Sequence, residues 1–399
     1  MEWSVATGAS ISDTPPGARE KSTPFNASLT DFTETLFESL RRADQRRCAR
    51  TYLEALLRTP GKKSVRRLAG SVPSPTPAHS LRQFVNLSPW DWDPVMERLT
   101  RWATGHGTVR CLAVARAVLP KRGEWSVGVH GWFAPSLGRT LNCQLGLGAF
   151  LCFDGVQTPV DWRLVLPEFW LGEERLRRRA RIPDAVRHLP PWALALDLVD
   201  TLTARGAVGA VPVVADLSDD SEVGHLLAAL FRRRRDFVIA VPHHFKVLRA
   251  DVAAPRAIGA GTLAYAPGAA ETVLVTGPDG RQCITRVQDT TVRLPRVPEQ
   301  GSGPEYVCRL FAEVCPDRWP GLVWISNRTD LSIDDLASLA AVQSAAAASV
   351  TAMGELGLHD FEGRSFPGWY HHMTLVSAAY AYQRLTHAVT APHDAPDRP

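Results

Sequence analysis

The sequence predicts an α/β protein with a mixed sheet as its core, a helical region before it, and a β-rich insertion ahead of the last helices. Three observations carry this. Apolar residues recur at helical spacing up to about Ala103. From about Val109 the pattern changes to short apolar runs bounded by turn residues. Between Pro190 and Val241 helical and strand-like segments alternate, as they do when helices pack on a sheet.

Residues 1–27 read as a disordered tail, polar and rich in Ser, Thr, Pro and Gly. Residues 28–104 read as a helical, basic domain suited to DNA. Leu29, Phe32, Leu36, Phe37 and Leu40 keep a three-to-four residue spacing, as do Tyr52, Leu53, Leu56 and Leu57. Pro60-Gly61 breaks the pattern, Ser71 to Ser80 is a Pro/Ser loop, and Val95 to Ala103 is a further helix. Residues 105–244 read as the first part of the core. Three sequential strands are predicted at Arg110–Leu119, Trp125–Trp132 and Cys143–Phe153. Helix Pro190–Ala204, strand Ala210–Ala215 ending at Asp216, helix Ser221–Arg232 and strand Phe237–Val241 follow. Residues 245–330 read as a β-rich insertion with strands such as Thr272–Thr276 and Gln282–Val287. Residues 331–388 carry two long helices, Asp334–Leu356 and Gly368–Leu385, and 389–399 form a polar tail. A meander followed by alternating helix and strand is also the order of a ribonuclease H-like core.

At 399 residues the chain is long enough for two or three domains, and 45% hydrophobic with 22% charged residues fits a soluble globular protein. No uninterrupted apolar stretch reaches the length of a membrane span, and Met1–Asn26 lacks the features of a secretory signal. A cytoplasmic location with no membrane partner is the default expectation. Seven cysteines, Cys48, Cys111, Cys143, Cys152, Cys283, Cys308 and Cys315, show no CxxC spacing. Neither a disulfide framework nor a zinc site is supported. His243-His244 and His371-His372 are adjacent pairs rather than helical i, i+4 ligand pairs, so no metal site is assigned to them.

The net charge is only +4, so the distribution of charge matters more than its sum. Arg41, Arg42, Arg46, Arg47, Arg50, Arg58, Lys62, Lys63, Arg66 and Arg67 face only Asp44 and Glu54 between positions 41 and 67. Further runs are Arg175–Arg181 and Arg232–Arg235. Such clusters neutralise phosphates, and they also occur as solvated helix faces.

Several short segments carry a more specific signal. In order they are Ser88-Pro89-Trp90-Asp91, Pro120-Lys121-Arg122-Gly123 with Ser126-Val127-Gly128-Val129, and Asn142-Cys143-Gln144-Leu145-Gly146. Then come Arg163 to Trp170, Val213-Val214-Ala215-Asp216, Trp324-Ile325-Ser326-Asn327, Glu355 to Ser365, and Gly368-Trp369-Tyr370-His371-His372. This ordered set resembles actinobacterial DDE superfamily insertion-sequence transposases.

The resemblance implies two-metal phosphoryl transfer on DNA, with Mg²⁺ held by three acids on the first strand, the fourth strand and a late helix. The first acid belongs to an Asp-Asp-Thr triplet that falls on Ala115, Arg116 and Ala117. The second matches Asp216, followed here by Leu217-Ser218-Asp219-Asp220. The third lies in a Tyr-Arg-Glu-Lys signature that falls on Leu339, Val342, Ala346 and Met353. Two of the three acids are therefore alanine, and Asp216 remains as a relic. Arg116 adds a cation that is expected to oppose metal entry and to pair with Asp216. Two unit charges about 4 Å apart interact by about 4 kcal/mol at an effective dielectric near 20. Asp161, Glu168, Asp219, Asp220 and Glu362 are the acids placed to substitute.

The expectation is a nuclease-dead, transposase-derived protein that binds double-stranded DNA, with a regulatory role, no cofactor, and a second copy of the chain as the other candidate partner. The expected DNA contacts are Arg41, Arg42, Arg46, Arg47, Arg50, Lys62, Lys63, Arg66, Arg67, Lys121, Arg122, Arg364, His371 and His372. Two alternatives stand beside it. One is an active transposase with a rearranged Mg²⁺ site, and the other an interaction scaffold or decaying mobile-element remnant. Glu355, Arg364, Tyr370, His371 and His372 either line a DNA channel or form a buried network under the last helix.

Overall fold

Helical periodicity in the first hundred residues produces five helices: α1 (Pro24–Phe37), α2 (Ala43–Arg58), α3 (Val65–Ala69), α4 (Ala78–Asn86) and α5 (Asp93–Thr104). A computed structural model describes residues 24–73, 76–134, 137–277, 280–295, 306–314 and 321–390. The stretches read as tails lie largely outside these residues, as does Cys315, but α1 starts at Pro24 and the last helix reaches Thr390. Leu29, Phe32, Leu36, Tyr52, Leu53 and Leu56 are buried as their spacing requires.

The meander that follows differs from expectation in one strand. β1 (Cys111–Pro120) and β3 (Arg139–Cys152) pair antiparallel over their length. The segment read as the middle strand forms only the short β2 (His130–Ala134), against the start of β3. The third core strand is instead β4 (Gln157–Leu164), which pairs with β3. Pro159 and a buried Asp161 break its apolar pattern, which is why spacing alone misses it. Asp161 is tolerated inside because Arg163 and Arg205 lie 2.9 and 3.0 Å from its two oxygens.

Between β4 and the next strand lie α6 (Glu168–Gly172), α7 (Glu174–Ala180) and α8 (Pro191–Ala204). β5 (Val213–Asp216) then runs parallel to β1, and after α9 (Val223–Arg232), β6 (Phe237–Val241) runs parallel to β5. An antiparallel meander, continued by two parallel strands with helical crossovers, is ribonuclease H-like topology.

The stretch 245–330 extends the same sheet. It holds β7 (Lys246–Arg249), β8 (Ile258–Gly259), α10 (Ala260–Ala264), β9 (Glu271–Thr276), β10 (Gln282–Arg293), β11 (Val307–Glu313) and β12 (Val323–Ser326). The order is β2-β3-β1-β5-β6-β12-β11-β10-β7-β8, with β4 beside β3 and β9 beside β10. α11 (Ile333–Ala352) and α12 (Phe366–Thr390) follow.

α11 crosses one face of the sheet. At its start, Asp334 and the Ser338 hydroxyl accept the backbone N–H groups of Leu274 and Thr276, which covers part of the β9 edge. At its middle, Gln343 donates to the backbone oxygen of Val114 in β1 at 3.0 Å. Residues 333–356, though interrupted by Asp334, Asp335 and Gln343, are long and apolar enough to cross a membrane by length and composition. Their contacts are those of a helix packed on a sheet. α12 packs on α2, α4, α5 and β4, so the N-terminal helices and this sheet face share one apolar core. α8 and α9 cover the other face.

Candidate functional site

Strand alternation sorts β1 into two sets. Ala113, Ala115 and Ala117 belong to the core under α11 and α12, whereas Leu112 and Val114 belong to the core under α8 and α9. In the β1–β5 register Val114 stands beside Ala215, so Ala115 and Asp216 are the next positions along neighbouring parallel strands. Asp216 shares the parity of Val214, which also lies on the α11 side. On α11, Ala346 follows one turn after Gln343, whose side chain reaches Val114, and Ala346 is fully buried in the same core as Ala115. The three positions that the resemblance assigns to acids therefore meet on one face.

What fills that face is apolar. Ala115 stands opposite Gly148 of β3, and Gly148 opposite Trp162 of β4, so the three form one row across the meander. A Cβ built on Gly148 would lie 2.7 Å from the Trp162 ring, so the indole occupies the space over the glycine. The Trp162 ring nitrogen donates to the Ser377 hydroxyl of α12 at 2.8 Å, which fixes the indole. Ala117 faces Gly146, and a Cβ there would meet Trp369 of α12 at 3.1 Å. Small residues on β1 and β3 thus receive large rings from β4 and α12.

The acids near Asp216 are held by the protein itself. Asp216 Oδ1 accepts the backbone N–H of Ser218 at 3.0 Å, closing a local turn. Arg116 pairs with Asp219 rather than with Asp216, through both terminal nitrogens, with Nη2 2.6 Å from Oδ1. Burial works against the guanidinium's charge, but Asp219, with Asp216 and Asp220 nearby, keeps its pKa above the ordinary value. Asp220 accepts the backbone N–H groups of Trp192 at 3.0 Å and Glu222 at 2.8 Å, while burial raises its carboxyl pKa. Asp161 is locked between two arginines, Glu362 lies 4.0 Å from Arg82, and Glu168 is exposed on α6. Among the described residues no group of three or more His, Cys, Asp or Glu is arranged to hold a metal ion. A magnesium pair needs several carboxylate oxygens at one point. Two methyl groups, one turn-bound aspartate and a nearby arginine do not fit it.

The sequence-predicted DNA contacts divide. Arg41, Arg42, Arg46, Arg47, Arg50, Lys62, Arg66, Arg67, Arg122 and Arg364 are exposed. Several have partners within the chain: Arg42 pairs with Asp44, Arg50 with Glu34, and Arg46 and Arg67 donate to backbone oxygens. Lys63 is a correction. It is buried, its ammonium donates to the Thr59 carbonyl, its backbone N–H donates to Asp360, and burial lowers its pKa. Lys121 is partly buried and donates to the Phe361 carbonyl at 3.0 Å, and desolvation brings its pKa down to about 8.

His371 and His372 are also corrected, because both are buried. The His371 ring nitrogens each lie 2.8 Å from a carbonyl oxygen, of Val85 and of Trp90, and the ring stacks on Trp90 at 3.9 Å. Burial brings its pKa down to about 4, against the two carbonyls, which favour the charged form. His372 Nε2 lies 3.0 Å from the Gly357 carbonyl, and Tyr52 donates to its Nδ1 at 3.5 Å. Its pKa also falls to about 4, chiefly by burial. Tyr370 accepts the backbone N–H of Leu164. These three side chains form the buried network under the last helix, while Arg364 and Glu355 remain at the surface.

A ribonuclease H-like core that brings one position each from β1, β5 and a late helix to a single face has the architecture of enzymes that act on nucleic-acid phosphates. Residues 35–290 match the family described as DDE superfamily endonuclease. That is more than half of the chain, which therefore belongs to this family. Among solved structures, the chain is similar to a piggyBac transposase in a synaptic complex with hairpin DNA, determined by cryo-EM. The TM-score is 0.41 at 10% identity, over 92% of this chain and 74% of that one. No curated protein matches the sequence.

Proposed function

We propose that this member of the DDE superfamily endonucleases binds double-stranded DNA without cutting it, as a transposase-derived protein with a regulatory role. The observation that carries the first half is the row Ala115–Gly148–Trp162. The position that the resemblance assigns to the first acid carries a buried methyl group in a face packed with indoles. A carboxylate there would have to displace packed rings before it could meet a metal. Ala346 closes the same face from α11. The exposed cations of α2, α3 and the β1–β2 loop support the second half, because phosphate neutralisation supplies most sequence-independent affinity. A location on the nucleoid in the cytoplasm goes with this reading.

The test has two arms. Gel-shift titration of a duplex is expected to give binding that weakens steeply with salt. Incubation of supercoiled DNA with Mg²⁺ or Mn²⁺ is expected to leave it uncut. Nicking that disappears in Asp216→Ala would overturn the nuclease-dead reading, and lack of affinity at moderate salt would overturn the DNA-binding one.

A further inference from the structure

A surface around Trp125 brings together segments that are far apart in sequence. The β1–β2 loop meets the loop before α12, with Val127 N–H donating to the Arg364 carbonyl at 3.2 Å and the Ser126 hydroxyl to the Gly363 carbonyl at 3.4 Å. Arg181, just past α7, donates to the Asn86 carbonyl at the end of α4, and the Ser365 hydroxyl donates to the same oxygen. Arg179 of α7 lies over the Trp125 ring, 4.4 Å from its centroid.

Trp125 is nevertheless 54% exposed. An indole is among the costliest side chains to leave in water, and the ring keeps open apolar surface while a guanidinium rests on it. Arg179 makes no ion pair among the described residues, and its Nε is buried without a hydrogen-bond partner. Arg122, Arg175 and Arg364 are exposed and make no ion pair among the described residues, whereas Arg178 is paired with Glu174. Glu124 is the acid nearest to Trp125 in sequence.

An open aromatic ring carrying one stacked guanidinium, on segments that also bear the exposed Arg122 and Arg364, suits a ligand that carries both a flat ring and an anionic backbone. Duplex DNA keeps its ring faces stacked inside, so only an unpaired base can use the indole. We propose that this surface binds a single-stranded segment of DNA next to a duplex, with one unpaired base stacked on Trp125 and its flanking phosphates on Arg122, Arg179 and Arg364. The proposal rests on the DNA-binding reading and adds the form of DNA preferred.

The test uses the full chain and two probes, a blunt duplex and the same duplex with a short overhang carrying 2-aminopurine. The overhang is expected to bind about tenfold more tightly, with quenching of the analogue's fluorescence on stacking. Trp125→Ala is expected to remove both the preference and the quenching while blunt-duplex binding stays, and Trp125→Phe to keep part of each. Unchanged thermal melting of the variants establishes that they fold. Equal affinity for both probes, or a preference that survives Trp125→Ala, overturns this inference and leaves the DNA-binding reading standing. Binding of neither probe overturns both.

Discussion

Arg116 grips Asp219 at two points across 103 residues of sequence, joining the middle of β1 to the turn after β5. The pair is partly buried, so it is screened less than a surface pair. Arg116→Ala is expected to cost about 1–2 kcal/mol by urea unfolding, because it leaves Asp219 beside Asp216 and Asp220 without a counter-charge. Asp219→Asn is expected to cost less, since its amide oxygen still accepts from the guanidinium. Equal losses would mean that charge rather than hydrogen bonding carries the contact.

Placing acids at the two alanine positions that the resemblance assigns to them is not expected to give cleavage. Ala115→Asp puts a carboxyl into a fully buried apolar row, at a cost of about 3 kcal/mol or more. Desolvation would raise the new carboxyl's pKa above its unfolded value, so the loss should shrink as the pH falls and the group protonates. Urea midpoints of wild type and variant across acidic pH check the sign. The double variant with Ala346→Glu is expected to leave supercoiled DNA intact with Mg²⁺.

Gly148 offers a subtler probe of the same row. A methyl group there would lie 2.7 Å from the Trp162 ring, and Gly148→Ala is expected to destabilise by about 1–3 kcal/mol through overpacking. Pairing it with Trp162→Phe, which shortens the ring, should recover part of the loss in a double-mutant cycle.

His372 makes stability fall on acidification. Its folded pKa of about 4 lies below the ordinary 6.5, so the unfolded chain binds the extra proton first. Its contribution is complete above about pH 6.5 and is lost as the pH falls towards 4, by roughly 2–4 kcal/mol. His372→Gln is expected to flatten the pH dependence of the urea midpoint over that window. An unchanged slope would show that the ring takes up its proton as readily in the folded chain as in the unfolded one.

Two neighbouring cations should behave differently. Lys63→Ala is expected to cost about 1–2 kcal/mol, since its ammonium holds the Thr59 carbonyl from a buried position. Arg66→Ala, at an exposed position, is expected to leave stability within about 0.5 kcal/mol. If Arg66 touches phosphate, the slope of log affinity against log salt should shrink by about 0.9. Thermal melts and salt titrations separate the two roles.

Much of this architecture was legible because periodicity is local. The strand ending at Asp216, the crossover helices and the Ala-rich α11 follow from spacing, and Ala115, Asp216 and Ala346 are brought to one face. Three kinds of information escaped. β4 is hidden because Pro159 and Asp161 break its pattern, and their compensation by the sheet edge and two arginines is remote in sequence. Arg116 reads as a partner for Asp216 until the turn geometry delivers Asp219 to it. Lys63 reads as a surface cation, and His371 and His372 read equally as DNA contacts or as a buried network, because sequence carries no record of which helix covers them. The Trp125 surface was invisible for the same reason: its arginines come from separate segments that meet only in the folded chain.

The strand order has a consequence for how the protein is made. β6, formed by Phe237–Val241, takes its outer partner from β12, which starts only at Val323. During synthesis from the N-terminus, β1 to β6 are made while that edge still lacks its partner, and an unpaired edge is open to other strands. The stretch from β7 to β11 must leave the ribosome before the edge is sealed, and α11 comes later still to clasp the sheet. A chain stalled in this interval is expected to aggregate through that open edge, which the finished sheet closes with β12.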